Sequence, residues 1–131
     1  EREKTIRVLL VCATVILVAI FAAIAVTERA GAHYYDGCKT VKCKQHVYRP
    51  YKASFLGPVG ACESGTGSHN LARGLKAYNP AGPYYGRYQF GAPDWRGAGG
   101  RGVASDWGPV EQAYRAVIWL HRNGRDSWPN C

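Results

Sequence analysis

The sequence predicts a small, mainly helical α+β domain preceded by a single transmembrane helix. Three features predict this class: a long apolar run, one strongly amphipathic segment, and one short aromatic segment among glycines and prolines. The apolar run covers residues 8–26, and 18 of its 19 residues are hydrophobic. Because the chain has only 131 residues, the part after the run has room for one small domain and not for a multidomain enzyme.

The apolar run has the length of a membrane span. A helix of this size, at about 1.5 Å per residue, covers roughly 29 Å, the thickness of a hydrocarbon core. Residues 1–29 are predicted to form a transmembrane anchor or signal-anchor, with residues 8–26 in contact with the membrane. The alternative is a signal peptide cleaved near Ala32, since Ala-Gly-Ala at 30–32 fits the small-x-small pattern. Basic residues flank both ends of the run, so charge leaves its orientation open.

Four cysteines lie beyond the apolar run: Cys38, Cys43, Cys62 and Cys131. An even number in a short region predicts two disulfides in an oxidising compartment. The domain is thus expected outside the cytoplasm, anchored to the membrane or secreted after cleavage. Three pairings are possible, and Cys38–Cys43 with Cys62–Cys131 is the simplest because the first two cysteines are close in sequence. Cys38, Cys43 and His46 also fit part of a zinc site, but a fourth ligand is missing. No metal and no cofactor is predicted.

Composition divides the region beyond the membrane segment into two parts. Residues 30–54 are rich in Lys and Tyr without periodicity and are predicted to be an extracytoplasmic linker. Residues 33–131 carry 13 Lys and Arg against 6 Asp and Glu. A basic surface suits anionic partners such as wall polymers, lipid headgroups or nucleic acid, and the extracellular location argues against nucleic acid.

The remaining elements are predicted in chain order. Pro58 suits the first turn of a helix that runs through Glu63. Residues 65–83 are rich in Gly, Asn and Pro and predict a long loop. Residues 84–90, YYGRYQF, predict a short extended or hairpin segment, and Pro93 is expected to open another short helix.

The clearest helix is predicted from Pro109 to Asn123. Pro109 suits the first helical position, and Gly124 is typical of a C-terminal stop. Glu111 lies at the positive N-terminal end, where a carboxylate is favourable, so a structural role is expected for it. One face carries the residues that recur at helical spacing: Val110, Ala113, Tyr114, Val117, Ile118 and His121.

Several short motifs occur in a fixed order in the second half of the chain. They are ACESGTG at 61–67, YYGRYQF at 84–90, Trp95, Glu111-Gln112, and WPNC at 128–131. In this order they resemble the resuscitation-promoting factor family, small transglycosylase-like domains of the lysozyme superfamily. The resemblance covers residues 56–131 and implies a lysozyme-like domain over residues 55–131.

The resemblance implies a set of functional residues. Glu63 falls on the catalytic glutamate of the family, and Gln89 falls on a residue of the substrate groove. The family disulfide falls on Cys62 and Cys131, the same bridge that the simplest pairing contains. The implied reaction is cleavage of the MurNAc-GlcNAc β-1,4 bond in the glycan strand of peptidoglycan. The chain departs from the family at Leu56, where a tryptophan is usual, and at Arg87, where a second glycine is usual.

The chemistry of Glu63 agrees with this role. A glycosidase needs an acid that protonates the leaving oxygen, and apolar surroundings raise a carboxyl pKa enough to keep that proton. Hydrolysis normally needs a second carboxylate, for which Asp94 and Asp106 are the only suitable residues. One acid suffices if the 6-hydroxyl of the sugar attacks to form a 1,6-anhydro product, as the resemblance implies. A Ser64–His69–Asp94 hydrolase is disfavoured because no nucleophile-elbow pattern surrounds the serine.

Aromatic residues favour a saccharide ligand. Flat rings stack on the apolar faces of sugars, and 9 Tyr and 4 Trp lie beyond the apolar run. Tyr85, Tyr88 and Trp95 are predicted to bind substrate together with Gln89.

Three functions remain open at this point. The first is a peptidoglycan lytic transglycosylase or muramidase, with glycan strands and the membrane as partners and an oligomeric state that is left open. The second is an inactive wall-binding or virion-associated structural module, suggested by the departures at Leu56 and Arg87. The third is a small cationic membrane-active protein, suggested by the charge, the cysteines and the apolar run.

Overall fold

A computed structural model describes residues 37–131 of the chain, which contain one compact unit, Cys38–Cys131. The predicted anchor at 1–29, its membrane span at 8–26 and the cleavage alternative near Ala32 lie outside the described residues. Within the described residues, no helix has the length and apolar composition needed to cross a membrane.

The fold is α+β, and about half of the described residues are helical. This confirms the predicted class at the level of secondary structure. The α-helices are α1 (Val41–Tyr48), α2 (Tyr51–Ser54), α3 (Leu56–Glu63), α4 (Ala92–Gly97) and α5 (Pro109–Asn123). Short 3-10 turns cover Ala104–Asp106 and Arg125–Ser127, and the strands are β1 (Tyr78–Asn79), β2 (Tyr84–Tyr85) and β3 (Phe90–Gly91).

Helix α5 has the bounds that the sequence predicts. Gly108 precedes its Pro109, and Gly124 ends it with a φ of 78°, a left-handed value that suits glycine. The predicted apolar face is largely buried, although Val110 is only half-buried and His121 is exposed. The residues that α5 buries are Gln112, Ala113, Tyr114, Ala116, Val117 and Ile118.

Helix α1 corrects the predicted linker. Residues 41–54 contain all of α1 and α2, and α1 packs against α5 inside the compact unit. Thr40 caps α1 by accepting a hydrogen bond from the Cys43 amide at 3.2 Å. The linker prediction is therefore wrong for this stretch. The sequence does not reveal α1 because this helix buries only Val47 and Tyr48. Two buried apolar residues give no visible helical periodicity in the sequence. The helix is stabilised by its tertiary packing instead.

Both predicted disulfides are present. Cys38–Cys43 joins Cα atoms 5.4 Å apart, and Cys62–Cys131 joins Cα atoms 5.9 Å apart. The first bridge uses both sulfurs that the zinc alternative would have required. The second ties the last residue of the chain to the end of α3.

The strands form a small antiparallel sheet in the order β1-β2-β3. This confirms the predicted extended segment at 84–90 and adds β1 from the predicted loop. Phe90 of β3 lies at the centre of an aromatic cluster, with ring centroids 5.5 Å from Trp95 and 6.2 Å from both Trp119 and Trp128. The Trp128 indole N–H donates to the Tyr88 carbonyl at 3.0 Å. The C-terminal segment is thereby fastened to the hairpin.

Candidate functional site

Glu63 is the last residue of α3. Its side chain is half-buried, and among residues 37–131 it forms no hydrogen bond or ion pair. Burial raises the pKa of the Glu63 carboxyl above its usual 4.5. The carboxyl end of a helix also carries partial negative charge, which acts in the same direction. A carboxyl with a raised pKa and no partner among the described residues is suited to act as an acid.

The chain turns sharply directly after Glu63. Gly65 and Gly67 have φ values of 66° and 63°, and their amides donate to the carbonyls of Cys62 and Ala61, each at 3.0 Å. Left-handed backbone of this kind favours glycine. The turn fixes the direction in which the chain leaves the helix and so helps to define the surroundings of Glu63.

Ser64 stabilises the same turn. Its hydroxyl donates to the Gly60 carbonyl at 2.6 Å and shares a hydrogen bond with the Thr66 hydroxyl at 2.9 Å. These partners give Ser64 a structural role. These hydrogen bonds do not join Ser64 to His69 or Asp94, so they do not support the Ser64–His69–Asp94 hydrolase.

Arg87 connects α3 to the loop after that helix. Its side chain is fully buried, and its guanidinium donates to three carbonyls: Gly57 at 3.3 Å, Ser68 at 2.8 Å and Arg73 at 3.0 Å. The Arg87 Nε is buried without a partner. The sequence marked Arg87 only as a departure from a family pattern. Nothing in the sequence indicates that it is the residue that holds the loop.

The hairpin turn that contains Arg87 packs directly on α3. A Cβ at Gly60 would lie 2.6 Å from the Arg87 Nε and 2.9 Å from the Tyr88 ring, so glycine is required for this close approach. Gly60 and Glu63 are three residues apart and thus share one face of the helix. The hairpin turn therefore packs on α3 less than one helical turn before Glu63.

Two of the predicted substrate-binding residues lie near the surface of the hairpin. Tyr85 is half-buried in β2, and its ring centroid lies 5.1 Å from that of Tyr78 in β1, which is 56% exposed. Directly paired residues of antiparallel strands point to the same face, so Tyr78 and Tyr85 form one aromatic surface. Gln89 is half-buried in a left-handed turn, with φ 49°, and its side-chain amide donates to the Gly86 carbonyl at 2.9 Å. Tyr78 was not predicted because it lies within residues 65–83, which the sequence predicts to be a loop.

Tyr84 points to the opposite face of the hairpin from this surface. Its ring lies against the backbone of Gly82, where a Cβ would be 1.8 Å from a ring carbon. The side chain is 41% exposed. Tyr84 therefore offers a matched residue for comparison with Tyr78 and Tyr85.

The other two predicted substrate-binding residues lie in the core instead. Tyr88 and Trp95 have no exposed surface. The Tyr88 hydroxyl donates to the Tyr48 hydroxyl at 3.4 Å, and burial raises the pKa of Tyr88 well above 10.0. The Trp95 indole donates to the Arg101 carbonyl at 3.0 Å. Their prediction as groove residues is corrected because aromatic residues in so small a domain are needed to fill its interior.

Gln112 is a buried residue whose structural role the sequence does not reveal. Its side-chain oxygen accepts from the Arg87 amide at 2.8 Å, and its side-chain nitrogen donates to the carbonyls of Leu75 at 3.2 Å and Trp107 at 2.8 Å. One amide on α5 thus connects the hairpin to two loops. The motif order contained Glu111-Gln112, but only the tertiary contacts show what the glutamine does.

Of the two acids considered as second carboxylates, Asp94 is half-buried in the first turn of α4. Asp106 accepts a hydrogen bond from the Val103 amide at 3.4 Å at a 3-10 turn, which is a capping contact. Glu111 forms ion pairs with Lys44 and Arg115, and these confirm its expected structural role. Neither contact prepares the acid for catalysis.

No protein-family model, curated protein or solved structure matches this chain. The similarity to resuscitation-promoting factors therefore stays a prediction from the order of the motifs. The geometry around Glu63 is an independent observation.

The raised pKa of Glu63 predicts a pH-dependent effect on stability. Since the folded chain holds this proton more tightly than the unfolded chain, stability falls as the pH rises from 4.5 through the folded pKa. Glu63→Gln cannot ionise, so the wild type should lose stability relative to this variant as the pH rises from about 4.5 through the folded pKa of Glu63. Urea unfolding of both chains across this range measures the difference. A difference that does not change with pH would contradict the assignment.

Proposed function

We propose that this protein cleaves the glycan strand of peptidoglycan at the MurNAc-GlcNAc β-1,4 bond, with Glu63 as the single general acid. The observation that carries the proposal is the half-buried Glu63 carboxyl, which has a raised pKa and no partner within residues 37–131. The domain would belong with the lysozyme-like transglycosylases that its motif order resembles. It would act outside the cytoplasm, held to the membrane through residues 8–26 or released by cleavage near Ala32.

A single carboxyl can complete the reaction. Glu63 gives its proton to the glycosidic oxygen as the bond from that oxygen to C1 breaks. The resulting carboxylate then takes the proton of the MurNAc 6-hydroxyl as that oxygen bonds to C1. The proton returns to Glu63, the products are a free GlcNAc hydroxyl end and a 1,6-anhydro end, and no water is consumed. The capping contact of Asp106 argues against that residue as a second carboxylate and so favours this route over hydrolysis.

The surface supports a polymeric, anionic substrate. Tyr78 and Tyr85 present an aromatic surface on which a sugar ring can stack. The formal net charge of +8 attracts the acidic stem peptides of the wall. A glycan strand would then be expected to run along the hairpin and past the end of α3.

Mass analysis of the products from purified peptidoglycan tests the reaction. Anhydro ends are expected and support the transglycosylase route. Reducing ends would show hydrolysis and overturn the single-carboxyl mechanism, although glycan cleavage would stand. If the chain binds the wall and releases no soluble product, cleavage itself is wrong.

The second candidate function is an inactive wall-binding or structural module. It is favoured by one observation: Tyr88 and Trp95, two of the four predicted substrate-binding residues, lie in the core. Binding without product release in the same experiment would support it.

The aromatic surface predicts a binding effect. In a Glu63→Gln background, which prevents cleavage, Tyr78→Ala/Tyr85→Ala should weaken wall binding by about tenfold, because two aromatic contacts of about 0.5–1.5 kcal/mol are lost. A sedimentation assay with purified walls measures this. Tyr78→Phe/Tyr85→Phe keeps the rings and should bind normally, as should Tyr84→Ala on the opposite face. Equal weakening in Tyr84→Ala would show that this surface has no special role.

A further inference from the structure

A second cleft lies at the start of α1 and α5. It has a volume of about 350 Å³, which falls within the range of roughly 300–1,000 Å³ that small-ligand pockets occupy. Its lining contains neither Glu63 nor any of the predicted substrate-binding residues. The side chains that determine its character are Lys39, Lys44, Arg101, Trp107, Glu111 and Arg115.

Two of the four cations in this cleft are held in place. Glu111 forms ion pairs with Lys44 and with Arg115, the latter at 2.8 Å. Arg115 also donates to the Ala98 carbonyl at 3.0 Å. This network gives the floor of the cleft a fixed positive charge with one carboxylate in it.

The other two cations are available to a ligand. Lys39 and Arg101 have exposed side chains, and neither side chain forms a hydrogen bond or an ion pair among the residues that the structure describes. Four cations therefore line the cleft against the single carboxylate of Glu111. An anionic group placed between Lys39 and Arg101 would gain charge-assisted hydrogen bonds.

Trp107 gives the same cleft an aromatic wall. Its side chain is 38% exposed, unlike that of Trp95, which is fully buried. The indole N–H of Trp107 donates to the Arg101 carbonyl at 2.7 Å, and the same carbonyl accepts from Trp95 at 3.0 Å. The ring is thus held by the core at one edge, while part of its surface stays open to solvent. An exposed, fixed indole is suited to stack on a sugar ring.

We propose that this cleft is a second binding site, specific for an anionic saccharide. The sugar ring stacks on Trp107, and its carboxylate or phosphate binds Lys39 and Arg101. A cleft suits a saccharide better than a flat bilayer, because a bilayer would meet only the protruding side chains. Such a site would hold the domain on an acidic polymer independently of the Glu63 region.

Isothermal titration of the full chain in mild detergent tests the site with three soluble probes, and sedimentation with detergent-free vesicles tests a fourth. A uronate tetramer (tetragalacturonate) and a galactotetraose phosphorylated at its 6-hydroxyls carry the two candidate anions, each on a sugar ring. Neutral galactotetraose controls for the charge, and vesicles with half anionic phospholipid control for a membrane surface. We expect at least one anionic tetramer to bind about tenfold or more tighter than the neutral one, and the tighter of the two identifies the anion.

Two double variants locate the binding. Lys39→Gln/Arg101→Gln should weaken binding of the anionic tetramer by about tenfold, which corresponds to about 1.4 kcal/mol. Lys52→Gln/Arg96→Gln removes the same charge from exposed positions outside the cleft and should change binding less than about twofold, since distant surface charges are screened. Trp107→Ala should weaken binding and Trp107→Phe should largely retain it.

Three results would overturn the proposal. They are equal weakening in both double variants, equal affinity for the neutral and anionic tetramers, and binding of the anionic vesicles without binding of any tetramer. The Glu63→Gln variant should bind the anionic tetramer as the wild type does. The test of the second site therefore does not depend on whether the protein cleaves glycan.

Discussion

Glu63→Gln is expected to lower the release of soluble muropeptides from purified peptidoglycan by about 100-fold or more. General acid catalysis typically contributes about 10²–10⁴ in rate. The glutamine has nearly the same shape as the glutamate but has no acidic proton for the glycosidic oxygen. Because Glu63 has no hydrogen-bonded or ionic partner among the described residues, the substitution breaks no contact that stabilises the fold.

Asp126→Asn is a matched control for this measurement. Asp126 is exposed in the 3-10 turn after α5, so its replacement changes the charge equally and should leave release of muropeptides unchanged. Wild-type release by Glu63→Gln would show that Glu63 is not the acid. A matching loss in both variants would show that the net charge, and not the proton, matters.

Removal of the Cys62–Cys131 bridge is expected to cost about 4 kcal/mol in the free energy of unfolding. The bridge joins residues separated by 69 positions, and the entropy of closing such a long loop in the unfolded chain sets this size. For a small domain this is a large share of the total stability. Urea unfolding of Cys62→Ala/Cys131→Ala against the wild type measures the loss.

Cys38→Ala/Cys43→Ala provides the comparison. This bridge spans only 5 positions, and the same relation gives about 2 kcal/mol. Equal losses in the two variants would contradict the loop-length argument. Cys62→Ala/Cys131→Ala should also reduce glycan cleavage, because Cys62 adjoins Glu63, whereas the first bridge lies elsewhere in the chain.

Some elements were predictable because the signal is local. Helix α5 has a proline at its start, a glycine at its end and an apolar face between them, and each acts through its own backbone or its nearest turn. The hairpin at β2 and β3 has a comparable local basis in its aromatic residues and its glycines. The disulfide pairing was predictable because only four cysteines lie beyond the apolar run.

Other features depend on contacts between distant segments. Helix α1 packs against α5 and buries Val47 and Tyr48, and two buried residues leave no pattern in the sequence. Tyr88 and Trp95 have the composition of sugar-binding residues, but the interior of a small domain needs them. The type of residue shows that a ring can stack, and only the fold decides what it stacks on.

The sequence by itself predicted the class of the fold, the long helix and, as the simplest of three pairings, the two disulfides, all of which the structure confirms; its indication of Glu63 as the acid stays a prediction. Each of these depends on residue type, short spacing or a small number of combinations. The tertiary structure decided that Glu63 has no partner among the described residues, that Arg87 holds the loop beside it, and that Tyr78 joins Tyr85 at the surface. These depend on burial and on contacts between segments far apart in the chain, since desolvation and packing arise only when the chain has folded.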